Sequence, residues 1–356
     1  MTNTDLKKLT LFLPAILIIT LMYSCTSLET KPDPMIKTGE ISFCAAGDVM
    51  IDRGVKKRID QKGPDFIFEQ AAGFIKHKDL SFCNLEGPVS LTGTRKNGGF
   101  AFRGLPENLD ILKKCGFDFV SVANNHMLDY GSGSLTDTFS YLKEAGISYA
   151  GAGATREEAH SYVIKEVNGI KVAFIAELDM PFVVDEVPLS AELPQMSHKR
   201  GIDDLVLEVK KAREAADLVM VSFHWGYEYT HKPQWYQKKY AKACIDAGAD
   251  IILGHHPHVM QGIEVYKGKL ILYSMGNLVF DQFRKMTSRT FLFSCDLKKN
   301  GKIKNAFITP VLIKQNRPTF ARGDAAKEIR ELMKNISKKF GTKFEERDGR
   351  LYIEGL

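Results

Sequence analysis

The sequence contains no Cys-x-x-Cys pair and no cluster of thiols, which argues against a structural zinc knuckle. It has no run of lysine or arginine interleaved with aromatic platforms, so nucleic acid is not an expected partner. It has no solenoid-type internal repeat and no convincing linker between domains. With 44% hydrophobic and 26% charged residues, neither a disordered chain nor a multi-span membrane protein fits. The net charge of +6 is modest for 356 residues, a length that supports a substantial core in one large domain or two smaller ones.

The six cysteines fall at Cys25, Cys44, Cys83, Cys115, Cys244 and Cys295. Setting Cys25 aside leaves five, an odd number, most of them in apolar segments. Small buried hydrophobes are therefore expected ahead of a disulfide framework.

The first residues stand apart. Lys7 and Lys8 precede an apolar stretch from Leu9 to Tyr23, too short for a comfortable membrane span but suited to an export signal. The stretch meets Leu21-Met22-Tyr23-Ser24-Cys25, which resembles a bacterial lipoprotein signal, except that Tyr23 stands where a small residue is usual. Residues 1–24 are thus expected to be a signal peptide and 25–39, with two prolines and few large apolar groups, a tether. The protein is expected to be exported and attached to the cell membrane or outer membrane by lipid at Cys25. An uncleaved anchor and an ordinary cleaved signal are the alternatives.

From Glu40 the pattern is that of a layered α/β domain. Short apolar strand candidates at Ile41–Ala46, Leu80–Cys83, Phe117–Ala123, Leu218–Phe223, Ile251–Leu253 and Leu270–Tyr273 alternate with helical spacing over Pro64–His77, Glu107–Cys115, Leu135–Ala145, Ile202–Ala216 and Pro233–Ala247. Asn168-Gly169 between two β-type runs predicts a hairpin. Residues 40–322 read as one domain, followed over 323–356 by an amphipathic helix and a peripheral strand packed upon it.

Polar groups follow the apolar runs directly: Asp48, Glu86, Asn125 with His126, His224, His255-His256-Pro257-His258, and Asn277. In α/β sheets the loops beyond the carboxyl ends of strands are where sites assemble, so positions distant in sequence can converge there. Asp, Glu, Asn and neutral His are an oxygen and nitrogen set suited to hard or borderline divalent ions. If two ions are held, a carboxylate is needed between them, and Asp48 and Glu86 are the anions placed for it. Each residue has a plainer reading. Asp48 can cap a helix or make an Asx turn, Glu86 can pair with Arg103, Asn125 can be a turn residue and His224 a satisfied core imidazole. Three histidines within 255–258 are the hardest to explain as loop polarity.

Gly47-Asp48-Val49-Met50, Asn84-Leu85-Glu86-Gly87-Pro88, Ala123-Asn124-Asn125-His126 with Asp129-Tyr130-Gly131, His224-Trp225-Gly226, Gly254-His255-His256-Pro257-His258-Val259 and Tyr273-Ser274-Met275-Gly276-Asn277 together resemble the CapA or PgsA proteins of poly-γ-glutamate capsule synthesis. The resemblance runs in order over roughly residues 41–283. It implies a branch of the calcineurin-like metallophosphatase superfamily, a four-layer α-β-β-α sandwich. It also implies Asp48, Glu86 (as the bridging carboxylate), Asn125, His224, His256 and His258 as ligands of one or two divalent ions (Mn, Zn, Fe or Mg), with His255 as an alternative to His256. His126 takes the place of the catalytic histidine. Met50 stands where the superfamily usually has a histidine ligand, and a thioether is a poor donor for such ions.

Two functions follow. One is metal-dependent hydrolysis of a phosphate ester or related bond, with Asp129 orienting His126 and Arg103 and Asn277 as substrate anchors. The other is a non-catalytic accessory subunit at the membrane surface, serving assembly or export of an anionic polymer. Expected partners are an anionic small molecule or polymer, the membrane, and membrane-embedded capsule-synthesis subunits.

Overall fold

Because the strands are sandwiched between layers, their apolar runs are continuous, and period-2 alternation sends successive side chains to opposite faces. In Ile170–Asp179, Val172, Phe174, Ala176 and Leu178 enter one core while Ala173 and Ile175 enter another. Leu218 and Met220 likewise oppose Val219, Val221 and Phe223 in Leu218–Trp225. The computed structural model describes residues 39–179, 195–196 and 201–356. The expected signal peptide, Cys25 and all of the tether but Gly39 lie outside the described residues.

Two sheets form the centre. The larger runs Phe344–Arg347, Arg350–Ile353, Ile303–Lys314, Arg289–Lys298, Glu40–Val49, Leu80–Leu85, Phe119–Ser121, Ser148–Ala150, with Asn277–Val279 added to Glu40–Val49 and Arg317–Phe320 to Ile303–Lys314. The six-stranded sheet runs Ile263–Tyr266, Lys269–Leu272, Ile251–His255, Leu218–Trp225, Ile170–Asp179, Val163–Val167. Their inner faces meet through aromatic rings: Phe174 of the smaller sheet stacks on Phe119 and Phe82 of the larger, with centroids 3.9 and 5.8 Å apart. On the smaller sheet's outer face, Leu205, Val209 and Ala212 of Ile202–Ala215 and Ala241, Cys244 and Ile245 of Trp235–Ala247 complete a second core. Pro106–Cys115 and Ser132–Ala145 bury Leu109, Leu112, Leu135 and Leu142 in the core of the larger sheet. Central sheets flanked by helices are the mixed α/β architecture expected. Each large side chain so buried contributes about 1.5–3 kcal/mol, which lets the fold carry buried charge at the strand ends.

Two glycines bring the elements close enough to make the site. A Cβ on Gly47 would lie 1.9 Å from the Gly276 carbonyl oxygen, and one on Gly254 would lie 2.0 Å from that of Tyr273. With those side chains absent, Asp48 N donates to Gly276 O at 2.9 Å and Met275 N to Gly254 O at 3.0 Å. Around Gly47 the first strand exchanges neighbours: Glu40 to Ala45 pair antiparallel with Arg289–Lys298, whereas Asp48 and Val49 pair parallel with Asn277 and Val279.

Three details differ from the sequence reading. Pro64–His77 is two short helices, Asp65–Phe68 and Ala72–Lys76, and Arg317 lies over the Phe66 ring and donates to the Phe66 carbonyl within the first. A helix at Arg53–Lys62 was not anticipated. The C-terminal strand is not peripheral. Arg350–Ile353 pairs with Ile303–Lys314 and buries Leu351 and Ile353 in the main core, so it extends the larger sheet. Cys44, Cys83, Cys115, Cys244 and Cys295 are free and buried, as small hydrophobes. Among the described residues no helix is long and apolar enough to cross a membrane.

Candidate metal centre

The site stands at the carboxyl ends of parallel strands from both sheets. Asp48 is in register with Asn84 across Glu40–Val49 and Leu80–Leu85, and His224 with His255 across Leu218–Trp225 and Ile251–His255. Register partners on parallel strands project to the same face, so each sheet contributes a side-by-side pair. The next turns add Glu86, the Asn124-Asn125-His126 loop, and His256 and His258. His256 and His258 have φ of 92° and 55°, a left-handed backbone that is unusual for histidine and costs of order 1–3 kcal/mol. Such strain is commonest at ligand clamps.

Hydrogen bonds draw these groups into one cluster. His255 Nδ1 donates to Asp48 Oδ1 at 3.1 Å, and His258 Nδ1 lies 3.4 Å from Asp48 Oδ2. His258 Nε2 is 3.6 Å from Glu86 Oε1. His224 Nε2 donates to Asn125 Oδ1 at 2.8 Å. At the centre, the Asn84 amide donates to Asp48 Oδ1 at 2.9 Å, to Glu86 Oε2 at 3.4 Å and to His224 Nδ1 at 3.5 Å. One donor atom each from Asp48, Glu86 and His224 lie within 4.8 Å of one another, as do those of Glu228, His256 and His258.

A cation fits this set. Asp48 Oδ2, Glu86 Oε1, His255 Nε2 and His256 Nδ1 are buried and without a hydrogen-bond partner among the described residues. Leaving buried anionic oxygens unpaired costs several kcal/mol, and one or two divalent ions bound here would relieve it. Charge follows the same logic. Burial would raise the Asp48 carboxyl, yet the His255 and His258 imidazoles beside it hold it well below its ordinary range. Burial pushes Glu86 well above its own. Burial lowers His224 strongly and His256 to about 3, keeping both imidazoles neutral with lone pairs available. His258 is the exception: burial lowers it, but the facing Glu86 and Asp48 carboxylates outweigh that and bring it to about 9.

His126 occupies a different position. Its Nδ1 donates to Asp129 Oδ2 at 2.7 Å, and that oxygen also accepts from Phe102 N at 2.8 Å. Lys96 pairs with the other Asp129 oxygen. The imidazole is sandwiched against Phe102, centroids 4.0 Å apart, and its Nε2 lies 4.0 Å from Glu86 Oε1. Burial lowers its pKa, with Asp129 opposing. The ring borders a cavity of about 240 Å³ that also reaches His258 and Glu228.

The two residues expected to anchor substrate are placed otherwise. Asn277 is fully buried; its Oδ1 accepts from His258 Nδ1 at 2.8 Å, and its amide donates to Gln282 Oε1 and to Thr287 O. It orients a candidate ligand. Arg103 lies over the Tyr130 ring, 4.2 Å away, and donates to Thr92 O, whereas the guanidiniums bordering the cavity belong to Arg53 and Arg284. Met50 is buried, and its sulfur accepts from Asp52 N at 3.1 Å. Two site residues were not anticipated from the sequence: Glu228, whose only signal is its place four residues beyond His224, and Asn84, whose central hydrogen bonds form only when the strands meet.

Comparison with known proteins places these residues in a family. The bacterial capsule synthesis protein PGA_cap family matches residues 42–282. A capsule biosynthesis protein CapA of Bacillus anthracis is 35% identical over 88% of this chain and 78% of its own. A PGA biosynthesis protein CapA of Bacillus subtilis is 32% identical over 96% and 90%. Among solved structures, a 5'-nucleotidase from Candida albicans shows a distant likeness, with a TM-score of 0.44 and 12% identity over 86% of this chain and 60% of its own. From the length of the family match and its agreement with the strand-end residues that build the centre, the chain belongs to the bacterial capsule synthesis PGA_cap family.

Proposed function

We infer that this protein is a metal-dependent hydrolase of a phosphate ester or a related bond, acting at the membrane surface in capsule or poly-γ-glutamate synthesis. The observation that carries the reading is the convergence within 4.8 Å of donor atoms from Asp48, Glu86 and His224, and of others from Glu228, His256 and His258, with Asp48 Oδ2, Glu86 Oε1 and His256 Nδ1 buried and unpaired among the described residues, beside a histidine that is oriented but not consumed by the cluster. A divalent ion held by Asp48, Glu86, Asn125, His224, His256 and His258, with Glu228 beside them, would lower the pKa of a bound water and offset charge on a phosphoryl group. The chain's own residues do the rest. Asp129 fixes the His126 tautomer through Nδ1, so that Nε2 is the atom that exchanges a proton with a leaving oxygen. Phe102 excludes water from one face of the ring, and burial makes the protonated imidazole a readier acid.

The membrane part of the proposal rests on the charged start, short apolar stretch and Cys25; the capsule part rests on the family and on its relatives' names. A second reading, a non-catalytic subunit that binds or hands over an anionic polymer, is favoured by Met50, which offers the centre no donor. Elemental analysis of the purified protein, combined with a turnover screen over phosphomonoesters, phosphodiesters and polyglutamate, separates the two. The hydrolase reading expects bound metal and turnover in at least one class. Metal without turnover of any class favours the accessory reading.

A further inference from the structure

The cavity beside the centre is small, at about 240 Å³. It falls below the ~300–1,000 Å³ typical of sites that enclose a drug-sized ligand, so it admits a compact ester or the end of a longer molecule. Two arginines border it. Arg53 lies 5.0 Å from the centroid of Phe100 and 5.5 Å from that of Phe102, with its Nε 3.1 Å from Asp281 Oδ2. Arg284 lies 5.2 Å from the Tyr229 ring and has no carboxylate partner among the described residues. Its loop is fixed: Thr287 N and Ser288 N both donate to Arg284 O at 3.0 Å, and Asn277 holds Thr287 O.

A guanidinium stacked by its face on an aromatic ring keeps its N–H edge available for an anion. The rings that hold these two belong to Phe100, Phe102 and Tyr229; of the candidate ligands only His258 touches one of them, its ring 6.3 Å from that of Tyr229. The guanidiniums are therefore additional to the charges that would face a reacting phosphoryl group. Phe100 and Phe283, 68% and 67% exposed, stand at the same cavity, where their rings can cover a short carbon segment and weaken solvent screening of the arginines. Two carboxylates oppose them: Asp281, which is already paired with Arg53, and Glu228, which has an oxygen within 4.8 Å of His256 and His258 donor atoms and would be neutralised by a bound ion.

We propose that Arg284, seconded by Arg53, binds a carboxylate on the non-reacting part of the ligand, so that the site selects small esters carrying a second negative group. The assignment rests on the metal-hydrolase reading only for where the first negative group sits. The test uses a matched pair of probes, N-acetyl-phosphoserine and its C-terminal amide, which differ in that one charge. Binding to the metal-loaded full-length protein is measured by calorimetry, and turnover is recorded separately. Wild type binds the acid roughly 10- to 100-fold more tightly than the amide, the range for a charge-assisted hydrogen-bonded pair. Arg284→Gln brings the ratio close to one while leaving amide affinity and metal content unchanged, and Arg53→Gln narrows it less. Equal binding of the two probes by wild type, an undiminished ratio in Arg284→Gln, an equal loss of both probes in that variant, or no detectable binding of either would each overturn the proposal. An Arg284-dependent preference with no turnover would retain the subsite and remove the hydrolase reading.

Discussion

Asp48 and Asp250 are both fully buried aspartates at the ends of central strands, yet their surroundings are opposite. Asp250 is closed: one oxygen meets Lys269, the other accepts from Arg213 Nη1 at 3.0 Å and from Val219 N at 2.9 Å. Asp48 is open: its partners are an amide and two imidazoles, and Oδ2 accepts no hydrogen bond among the described residues. A carboxylate supplied with its own fixed cations has little to offer a ligand, whereas one left short of positive charge is a standing demand for it. Asp129 falls between them, with one oxygen committed to Lys96 and the other to His126.

The intermediate case gives the largest expected effect. His126→Asn should lower turnover of the best substrate by roughly 10²- to 10⁴-fold, the usual scale for a general acid or base, with metal content and melting temperature near wild type. Unchanged turnover would show that the orientation imposed by Asp129 serves something other than catalysis.

Neutralising the open and the closed aspartate tests the comparison itself. Asp48→Asn should cost more than the ~10- to 100-fold in metal affinity seen on losing an outer-shell partner, while the metal-free domain stays folded. Asp250→Asn should leave metal affinity intact in the folded fraction but cost about 2–3 kcal/mol in chemical denaturation. That figure is below the ~3–5 kcal/mol for a fully buried pair, because Arg213 and Lys269 are 31% and 27% exposed and water takes up part of the loss. If Asp48→Asn unfolds the domain and Asp250→Asn does not, the distinction between the two is wrong.

The smallest effect is in pH. His256 has a folded pKa of about 3 against an ordinary 6.5, so the unfolded chain takes up the proton first. Metal-free stability should therefore fall as pH drops from 6.5 toward 3. His258, at about 9, contributes stability that is complete below 6.5 and lost as pH rises through 9. Urea midpoints of the metal-free protein should describe a dome between these limits. A midpoint rising steadily into acid would contradict the neutral state assigned to His256.

The floor of the site was legible in the sequence and its rim was not, for a physical reason. Asp48, Glu86, His224 and the histidines at 255–258 sit where an apolar run ends, and strand pairing converts that position into a shared edge. Glu228 and Arg284 come from loops, and Arg53 from the first position of Arg53–Lys62, where the direction of the chain depends on tertiary packing: Arg53 and Tyr229 have φ of 52° and 59°, and no local pattern announces them. Arg103 is expected as an anchor because a guanidinium can grip an anionic oxygen pair, but Thr92 and Tyr130 already engage it. Asn277 was legible as a site residue but not as an internal brace, since its contacts with His258 and Thr287 exist only after the sheets have met.

The pairing of Asp48 with His255, 207 positions further along the chain, and with the Gly276-Asn277 turn has a consequence for biogenesis. Contacts of such sequence separation form late, because loop closure must be completed before they stabilise anything. A polypeptide emerging N-terminus first would carry Asp48 and Glu86 into the open long before their histidine partners arrive. An ion bound at this centre would therefore be taken up only by chains whose two sheets have already docked.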